Sequence, residues 1–447
     1  MKYPLFGVLL IVVLFSFSCN RKSQEITNNS IVISPGDNIQ IHLDRLRANQ
    51  ELVLLPGDYI IDKPLLLTNK HNFVLRGENA VTIKMKKGVS KKGGGMFIVR
   101  DCSAFRISNF DLDANTSQRT IVNNQFPAHS LRLLGVVDFY VDSINFISSI
   151  QDAITVQQTN TFPLDGMISK CTFQDYWRSG ISIINGSNII IKECKFDKGL
   201  ETAIGGGVNI EENDWNKESN RDIEIWNCEF RNSLYGIQLS SKGLGSSDVS
   251  ISNCYFSNNI ISVYNSFANT EIDSCTFENN VSEFKKSNAI RNACHISTDK
   301  VEMRITNSTF IGNDCEAIIY SDRKSKALNI DNCEFLDNKG YTISYYGESL
   351  KINNSIFSSS DRDVISSFNR KAELIITNND ISNVGRRALY VKDAQSFTFS
   401  NNSLGGLDES EFYIGKLINV VQIDLQDNGK NDMGRSSKIR EYFSIDN

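Results

Sequence analysis

Apolar and polar residues alternate with a period of two in many short stretches of the chain, as in "VSISNCYF" and "ITVQQ". A period of two places alternate side chains on opposite faces of an extended strand, so these stretches predict short β-strands. Ile39, Leu43 and Leu46 instead follow a helical spacing. They predict a short amphipathic helix that caps the open end of the strand-rich region.

The strand-like stretches belong to an internal repeat. One phrase recurs along the chain. It begins with an apolar residue, has Cys, Ser or Asn at its fourth position and ends with an apolar residue. Its copies are "ISKCTF" at 168, "IKECKF" at 191, "IWNCEF" at 225, "ISNCYF" at 251, "IDSCTF" at 272, "ITNSTF" at 305, "IDNCEF" at 330, "INNSIF" at 352 and "ITNNDI" at 376. Successive starts differ by 21 to 34 residues, mostly in the twenties. This period is typical of a solenoid in which each coil holds three short strands and successive coils pair in parallel, about 4.8 Å apart.

Six of the ten cysteines occupy the same position of the repeat, with Ser308 and Ser355 replacing cysteine in two further copies. The six are Cys171, Cys194, Cys228, Cys254, Cys275 and Cys333. In a stack of coils their side chains point inward in parallel rather than at one another, which argues against disulfides. A line of thiolates cannot close a tetrahedral metal site either. We therefore expect reduced, buried cysteines, with the neighbouring asparagines in turns.

With these repeats, the chain resembles the right-handed parallel β-helix proteins of the pectate-lyase-like superfamily over nearly all of its mature length. The stretch "ELVLLPGDYII", residues 51 to 61, is similar to the "LxPGxY" segment that often opens such helices. The resemblance implies an all-β fold, a single right-handed parallel β-helix of roughly a dozen coils. It implies little about chemistry, because this fold includes lyases, hydrolases, epimerases and inert binding proteins.

The first residues predict export. Lys2, the apolar run Leu5 to Phe17 and small residues before Cys19 resemble a bacterial lipoprotein signal, in which that cysteine carries the lipid. An ordinary secretory peptide is the alternative. We expect a signal peptide at 1–18, a polar tether at 19–33, the β-helix with its cap at 34–428 and a polar tail at 429–447, anchored at the outer membrane or in the periplasm.

Aligning the strands that precede the repeated phrase predicts which side chains face the solvent. Ile154, Ile181, Val208 and Ile237 are expected to point inward. The outward row is expected to contain Arg132, Thr155, Ser182, Asn209, Gln238, Ser262 and His295. A second outward row is expected to contain Gln157, Ile184, Glu211 and Ser240.

The stretch "GGGVNIEENDW", residues 205 to 215, lies on this face, beside the inserted segments 113–129, 159–165, 212–220 and 242–247. Its glycines begin a strand, so it is not the strand-to-helix phosphate loop of a nucleotide-binding protein. Longer loops around one stretch of a regular solenoid are typical of the walls of a binding groove. We expect Glu211, Glu212 and Asp214 as catalytic candidates, or as calcium ligands with Asn213, since hard cations prefer clustered oxygens.

Sugar-binding candidates are the polar, charged and aromatic residues around the same groove: Arg132, Gln157, Arg178, Asn209, Trp215, Gln238 and His295. Trp215 offers an apolar face with a polar edge, and Tyr176 and Trp177 could add an aromatic wall. Asp152 is tempting as a second carboxylate, but its lateral offset along the strands places it roughly 19 Å from Glu211. For a lyase, Arg132, Arg178, Lys242 and His295 could supply the base or neutralise a uronate.

The net charge of −5 and six prolines argue against a nucleic-acid-binding or disordered protein. We therefore expect an exported, lipid-anchored monomer that engages a polysaccharide, with no nucleic-acid partner and calcium as the one cofactor considered. The enzyme hypothesis is a glycoside hydrolase or a polysaccharide lyase acting on an acidic glycan. The alternative is a non-catalytic, glycan-binding or adhesive surface protein.

Overall fold

The computed structural model describes residues 29–87, 95–115, 129–199, 206–212, 220–241, 248–266, 268–280, 296–298, 302–314, 317–320, 326–405, 415–426 and 443–446. Within them, 43 strands and one helix form a parallel β-solenoid. The fold-class prediction of an all-β parallel helix is confirmed. Within the described residues, no helix has the length and hydropathy of a bilayer-spanning segment.

The first sheet contains two ladders of strands that share two long members, β8 (Ser103–Asp113) and β10 (Val137–Ile147). One ladder also contains β1 (Ser30–Ile33), β2 (Gln50–Leu54), β5 (His71–Gly77), β12 (Leu164–Ser169), β15 (Ser187–Lys192), β18 (Arg221–Trp226), β21 (Asp248–Ser252), β24 (Asn269–Asp273), β27 (Glu302–Thr306), β30 (Ala327–Asp331), β33 (Ser349–Asn353), β36 (Glu373–Thr377), β39 (Ser396–Ser400) and β42 (Gln422–Gln426). The other also contains β3 (Gly57–Ile61), β6 (Val81–Met85), β13 (Thr172–Gln174), β16 (Lys195–Asp197), β19 (Glu229–Arg231), β22 (Tyr255–Ser257), β25 (Thr276–Glu278), β28 (Thr309–Ile311), β31 (Glu334–Leu336), β34 (Ile356–Ser358), β37 (Asp380–Ser382) and β40 (Ser403–Gly405).

The second sheet has one strand per coil, fifteen among the described residues, somewhat more than the dozen coils expected. Its strands are β4 (Leu65–Thr68), β7 (Phe97–Arg100), β9 (Leu131–Leu134), β11 (Ile154–Gln157), β14 (Ser179–Ile183), β17 (Gly206–Glu212), β20 (Tyr235–Ser241), β23 (Ile261–Asn265), β26 (Ile296–Thr298), β29 (Ile318–Tyr320), β32 (Ile343–Tyr345), β35 (Ile365–Ser367), β38 (Leu389–Lys392), β41 (Gly415–Ile418) and β43 (Phe443–Asp446).

Like residues of successive coils stack in the interior. The repeated phenylalanines form a column in which neighbouring rings from Phe146 to Phe357 lie 4.5–5.0 Å apart. This column explains the glycine-rich start of β17. A Cβ on Gly207 would come within 2.5 Å of the Phe230 ring, so only glycine leaves room for the ring there.

The cysteines of the repeat are buried and free, as predicted, and so is Cys102. The thiol of Cys254 lies 3.7 Å from the carbonyl of Ile225 in the preceding coil, and the other cysteines of the repeat make equivalent contacts. The adjacent Asn227 and Asn253 have φ of 51° and 53°, the left-handed turn conformation expected for these asparagines.

The two ends of the stack differ from the expected boundaries. Helix α1 (Ile39–Arg45) buries Ile39 and Leu43 and contacts β4, which confirms the predicted cap. However, β1 pairs with β2 inside the segment assigned to the tether 19–33. Likewise β43, inside the segment assigned to the tail 429–447, pairs with β41. Backbone pairing therefore continues beyond the residues in which the repeated phrase is visible.

Candidate functional site

Five consecutive strands of the second sheet, β9, β11, β14, β17 and β20, present a continuous row of polar side chains on their outer face. The row consists of Arg132, Thr155, Ser182, Asn209 and Gln238, each in register with the next. The residue before each of the last four points inward: Ile154, Ile181, Val208 and Ile237 are buried in the core. The predicted alignment of these strands is confirmed.

Beyond Gln238 the row differs from the prediction. Tyr264, not Ser262, pairs with Gln238, and Ser297 pairs with Tyr264 in the place predicted for His295. Ser262 instead lies two residues earlier in β23, opposite Gly236. His295 itself lies outside the described residues.

The middle of this row is more buried than a surface groove was expected to be. Thr155 is 1% exposed, and Ser182 and Asn209 are fully buried. The hydroxyls of Thr155 and Ser182 and both polar atoms of the Asn209 amide have no hydrogen-bond partner. Buried polar groups normally have partners, so this concentration of unmet donors and acceptors makes the row a candidate binding site.

Charged side chains converge beside the row. The Nε atom of Arg178 lies 3.7 Å from Oδ1 of Asp152, and its Nη2 lies 3.6 Å from Oε1 of Glu211. Asp152 is almost completely buried, whereas the Glu211 side chain keeps 16% of its surface exposed and that of Arg178 keeps 28%. One guanidinium thus joins a buried carboxylate to a partly exposed one.

Asp152 also holds two further groups. Its Oδ2 lies 3.1 Å from Nδ1 of His129, although the ring N–H is not aligned for a hydrogen bond. The backbone N–H of Ser179 donates to its Oδ1 at 3.1 Å. Asp152 therefore lies in contact with His129, Arg178 and the start of β14, and of these the Ser179 amide is hydrogen-bonded to it. The structure thus places His129 at the cluster.

One sequence-based expectation about Glu211 is wrong. The separation of roughly 19 Å from Asp152 is too large, because both carboxylates contact one guanidinium that is only ~2 Å across, which limits the separation of the contacting oxygen atoms to about 10 Å. The offset was taken between backbone positions, whereas the long side chain of Arg178 extends across the outer face.

Arg132 begins the row and has no carboxylate partner among the described residues. Its Nε is buried without a hydrogen-bond partner. Burial lowers the pKa of the Arg132 guanidinium, and the nearby charge of Arg100 lowers it further. Two cations close together, one with an unmet donor, form a local environment that favours an anionic group.

Of the remaining predicted residues, some lie on the outer face and others fall outside the described part of the chain. Gln157 and Gln238 are half-buried on the outer face, and the Gln238 Oε1 has no partner. The side chain of Glu212, and the residues Asn213, Asp214, Trp215 and Lys242, lie outside the described part of the chain. Tyr176 cannot form an aromatic wall, because it is buried and its hydroxyl contacts that of Ser233 at 3.0 Å. The described residues contain no group of three or more His, Cys, Asp or Glu placed to hold a metal ion, so calcium binding remains a prediction.

Comparisons with known proteins agree with the fold. A family description, "Right handed beta helix region", matches residues 139–310, 217–349 and 317–426. A comparison with curated proteins gives no match. Among solved structures, the catalytic domain of a GH87 α-1,3-glucanase in complex with tetrasaccharides has a TM-score of 0.54 at 12% identity, over 94% of this chain and 68% of the glucanase chain.

Two further solved structures are similar. The N-terminal fragment of gene product 12 of bacteriophage Phi29 has a TM-score of 0.59 at 14% identity, over 84% of this chain and 66% of the fragment. A hyperthermoactive exopolygalacturonase from Thermotoga maritima has a TM-score of 0.46 at 11% identity, over 73% of this chain and 91% of the enzyme. At these identities the likenesses concern the fold, and the chemistry has to be argued from the site.

Proposed function

Since the chain belongs to the right-handed β-helix family, we propose that it is a glycoside hydrolase that binds an acidic polysaccharide along the outer face of its second sheet. The observation that carries the proposal is the position of Glu211. This partly exposed carboxylate contacts Arg178 and follows Asn209, whose buried amide has no hydrogen-bond partner, by two residues along the same face of β17.

Glu211 has the environment of a reacting carboxylate. Its Oε1 lies 3.6 Å from Nη2 of Arg178 and its side chain is partly exposed, an arrangement that suits a general base or a nucleophile. The carboxylate of Asp152 lies against Arg178, His129 and the Ser179 amide, so we assign it a positioning role for Arg178 and His129. An uncommitted surface glutamate would not need this buried arrangement behind it.

Hydrolysis of a glycosidic bond usually requires a second carboxyl group, about 5 to 9.5 Å from the first. Glu212 and Asp214, which directly follow in the sequence, are the proposed proton donors. Trp215 is proposed to bind the sugar ring, and Gln157 and Gln238 to hydrogen-bond its hydroxyls. A calcium ion at the acids of residues 211–214 is the alternative use of the same oxygens.

The acidic character of the proposed glycan follows from Arg132. Its buried, unpartnered Nε and its cationic neighbour Arg100 favour a carboxylate or sulfate group. The glucanase complex with tetrasaccharides supports a saccharide on this kind of fold. Arg132 also favours a second candidate, a polysaccharide lyase, because a lyase must neutralise the uronate carboxylate beside the proton that it removes.

The test is Glu211→Gln, which keeps the shape of the side chain and removes its charge. Purified protein is incubated with polygalacturonate, alginate and chondroitin sulfate, and reducing ends and the absorbance of unsaturated products are followed. We expect new reducing ends without unsaturated products, and a loss of turnover of at least about 100-fold in the variant. Trp215→Ala should mainly weaken binding.

Glu224→Gln is the matched control, because Glu224 is an exposed glutamate in β18 of the first sheet. Unsaturated products would establish the lyase instead. Binding without any turnover in the parent protein would support the non-catalytic, adhesive alternative. Turnover that is equal in the parent protein and in Glu211→Gln would exclude Glu211 as the reacting group.

We also propose that the protein is exported and anchored to a membrane by a lipid on Cys19. The proposal rests on the apolar run before Cys19 and the polar segment after it. Expression in a bacterial host should give membrane-bound protein whose N-terminal peptide carries lipid by mass spectrometry, and Cys19→Ser should release it. An unmodified N-terminus that begins elsewhere would refute the anchor.

A further inference from the structure

Three aromatic side chains lie on the outer face of the second sheet, far along the stack from Glu211. Tyr346 follows β32, Phe368 follows β35, and Tyr390 lies in β38. The Tyr346 and Phe368 rings stack at 5.1 Å, and the Phe368 and Tyr390 rings lie 5.5 Å apart at a tilt of 48°. All three are half-buried. We call these residues the aromatic strip.

The aromatic strip carries excess positive charge. Arg387 lies over the Tyr390 ring at 4.6 Å, and its Nε and Nη2 bind the two carboxylate oxygens of Asp363 at 2.9 and 2.8 Å. The buried Asp363 also has Arg386 at 3.9 Å, whose side chain remains 59% exposed. Two guanidiniums therefore share one carboxylate, and Lys392 adds an exposed cation in the same strand as Tyr390.

The geometry around Asp363 repeats part of the candidate site. Asp363 precedes Ile365 by two residues, as Asp152 precedes Ile154, and each carboxylate contacts an arginine of the following coil. The third coil differs. Gly415 pairs with Leu389 as Val208 pairs with Ile181, so Ile418 occupies the position that Glu211 has at the first site. The second location has the cations without the reacting carboxylate, which suits binding rather than cleavage.

We propose that the aromatic strip is a second binding site for the acidic polysaccharide, continuous with the first along one sheet face. Aromatic faces pack against the apolar faces of sugar rings, and the guanidiniums pair with the acidic groups. Six coil steps separate β17 from β35, roughly 29 Å at the usual strand spacing. Only a long chain spans both sites, so the inference specifies a polymer as substrate. It rests on the proposed function.

The experiment compares a long chain with a short one. Binding of polygalacturonate, alginate and chondroitin sulfate, and of the trisaccharide of each, is measured by titration calorimetry, with neutral dextran as the reference polymer. The parent protein should bind one acidic polymer at least tenfold more tightly than its trisaccharide, because the polymer occupies both sites. Phe368→Ala should remove most of that excess and leave the trisaccharide affinity unchanged.

Arg386→Glu provides a second variant at a largely exposed position, in case Phe368→Ala does not fold; it should reduce polymer affinity similarly. Trp226→Ala removes an exposed aromatic residue of the first sheet and should change nothing. If the polymer binds but both strip variants bind it like the parent protein, the inference is wrong and the proposed function stands. If the parent protein binds none of the acidic polymers, both fail. If the strip variants lose binding to single-stranded DNA and not to a polysaccharide, the inference is also overturned.

Discussion

At the scale of single residues, Arg178 determines how the candidate site is organised. It links the buried Asp152 to the partly exposed Glu211, so the proposed reacting carboxylate lies next to a charge that contacts the protein interior. A buried carboxylate is costly unless it is paired, and removing its partner costs more than the pair contributes. Arg178 therefore couples the stability of this coil to the chemistry of the site.

Arg178→Ala should reduce turnover to nearly the level of Glu211→Gln and lower the free energy of unfolding by about 2 kcal/mol, because Asp152 would keep only the Ser179 amide and His129. Urea denaturation measures the second effect. Arg106→Ala is the control: Arg106 is half-exposed in its pair with Asp142 and should cost less than about 1 kcal/mol. Equal destabilisation by the two substitutions would contradict the role of Arg178.

The sequence was informative about which residues lie on this face and uninformative about where their side chains end. Glu211 was identified as a candidate from strand alternation, which determines the side of a strand on which a residue lies. Arg178 was identified from its place beside Tyr176 and Trp177, one coil earlier. Asp152 was rejected because an alignment gives backbone offsets, and an arginine side chain of several rotatable bonds spans much of such an offset. Alignment cannot supply that conformation.

At the scale of elements, equivalent positions of neighbouring coils have the same surroundings, so different small side chains can occupy them. Ser308 donates its hydroxyl to the Thr306 carbonyl at 2.8 Å and accepts from the Cys275 amide at 3.1 Å. A serine therefore satisfies its hydrogen bonds at a position where most coils have a cysteine. This position of the repeat therefore requires a small side chain, and a hydroxyl can replace the thiol in its hydrogen bond.

Cys228→Ser should accordingly cost only about 1 kcal/mol. In the native parent protein, the seven buried cysteines should not react with a thiol reagent near pH 8, and all seven should react after unfolding. Reactivity of the cysteine ladder in the native state, or its protection as disulfides, would contradict the interpretation.

The same thiols make stability depend on alkaline pH. Burial raises the pKa of Cys102 to about 11 and that of Cys333 to about 12, from a value of 9.0. Between pH 9 and about 11 the unfolded chain loses protons that the folded chain keeps, so the free energy of unfolding should fall as the pH rises. Denaturation at pH 8 and pH 10.5 tests this, and a Cys333→Ser variant should show a smaller decrease.

Register could be predicted only where a landmark recurs. Gly180, Gly207 and Gly236 stack against the phenylalanine column, and their recurrence aligned β14, β17 and β20 correctly. In β23 the glycine position is occupied by Ser262, so the alignment lost its landmark and shifted by two residues. A shift of two keeps each residue on the same face, so hydrophobic alternation alone could not reveal it.

At the scale of the whole molecule, a solenoid has to protect two open ends. The amphipathic spacing of α1 predicted the N-terminal cap. It did not predict how the cap provides hydrogen-bond partners for the backbone groups at the edge of the second sheet. The Gln40 amide donates to the carbonyl of Leu66 in β4 and accepts from the amide of the same residue, both at 2.8 Å. One side chain thus replaces the missing strand at that point, which blunts an edge that could otherwise pair with another chain.

Gln40→Ala should therefore destabilise the first coils selectively, because each coil of a solenoid contacts only its neighbours. Hydrogen exchange should show a loss of protection of about 1–2 kcal/mol at Leu66 and the adjacent amides of β4, with the amides of β35 unchanged. Arg45→Ala, an exposed change in the same helix, is the control and should leave β4 protected. The variant should also associate more readily at high concentration, as measured by light scattering. A uniform loss of protection along the whole stack would show that the coils unfold as one unit and that Gln40 does not act as a local cap.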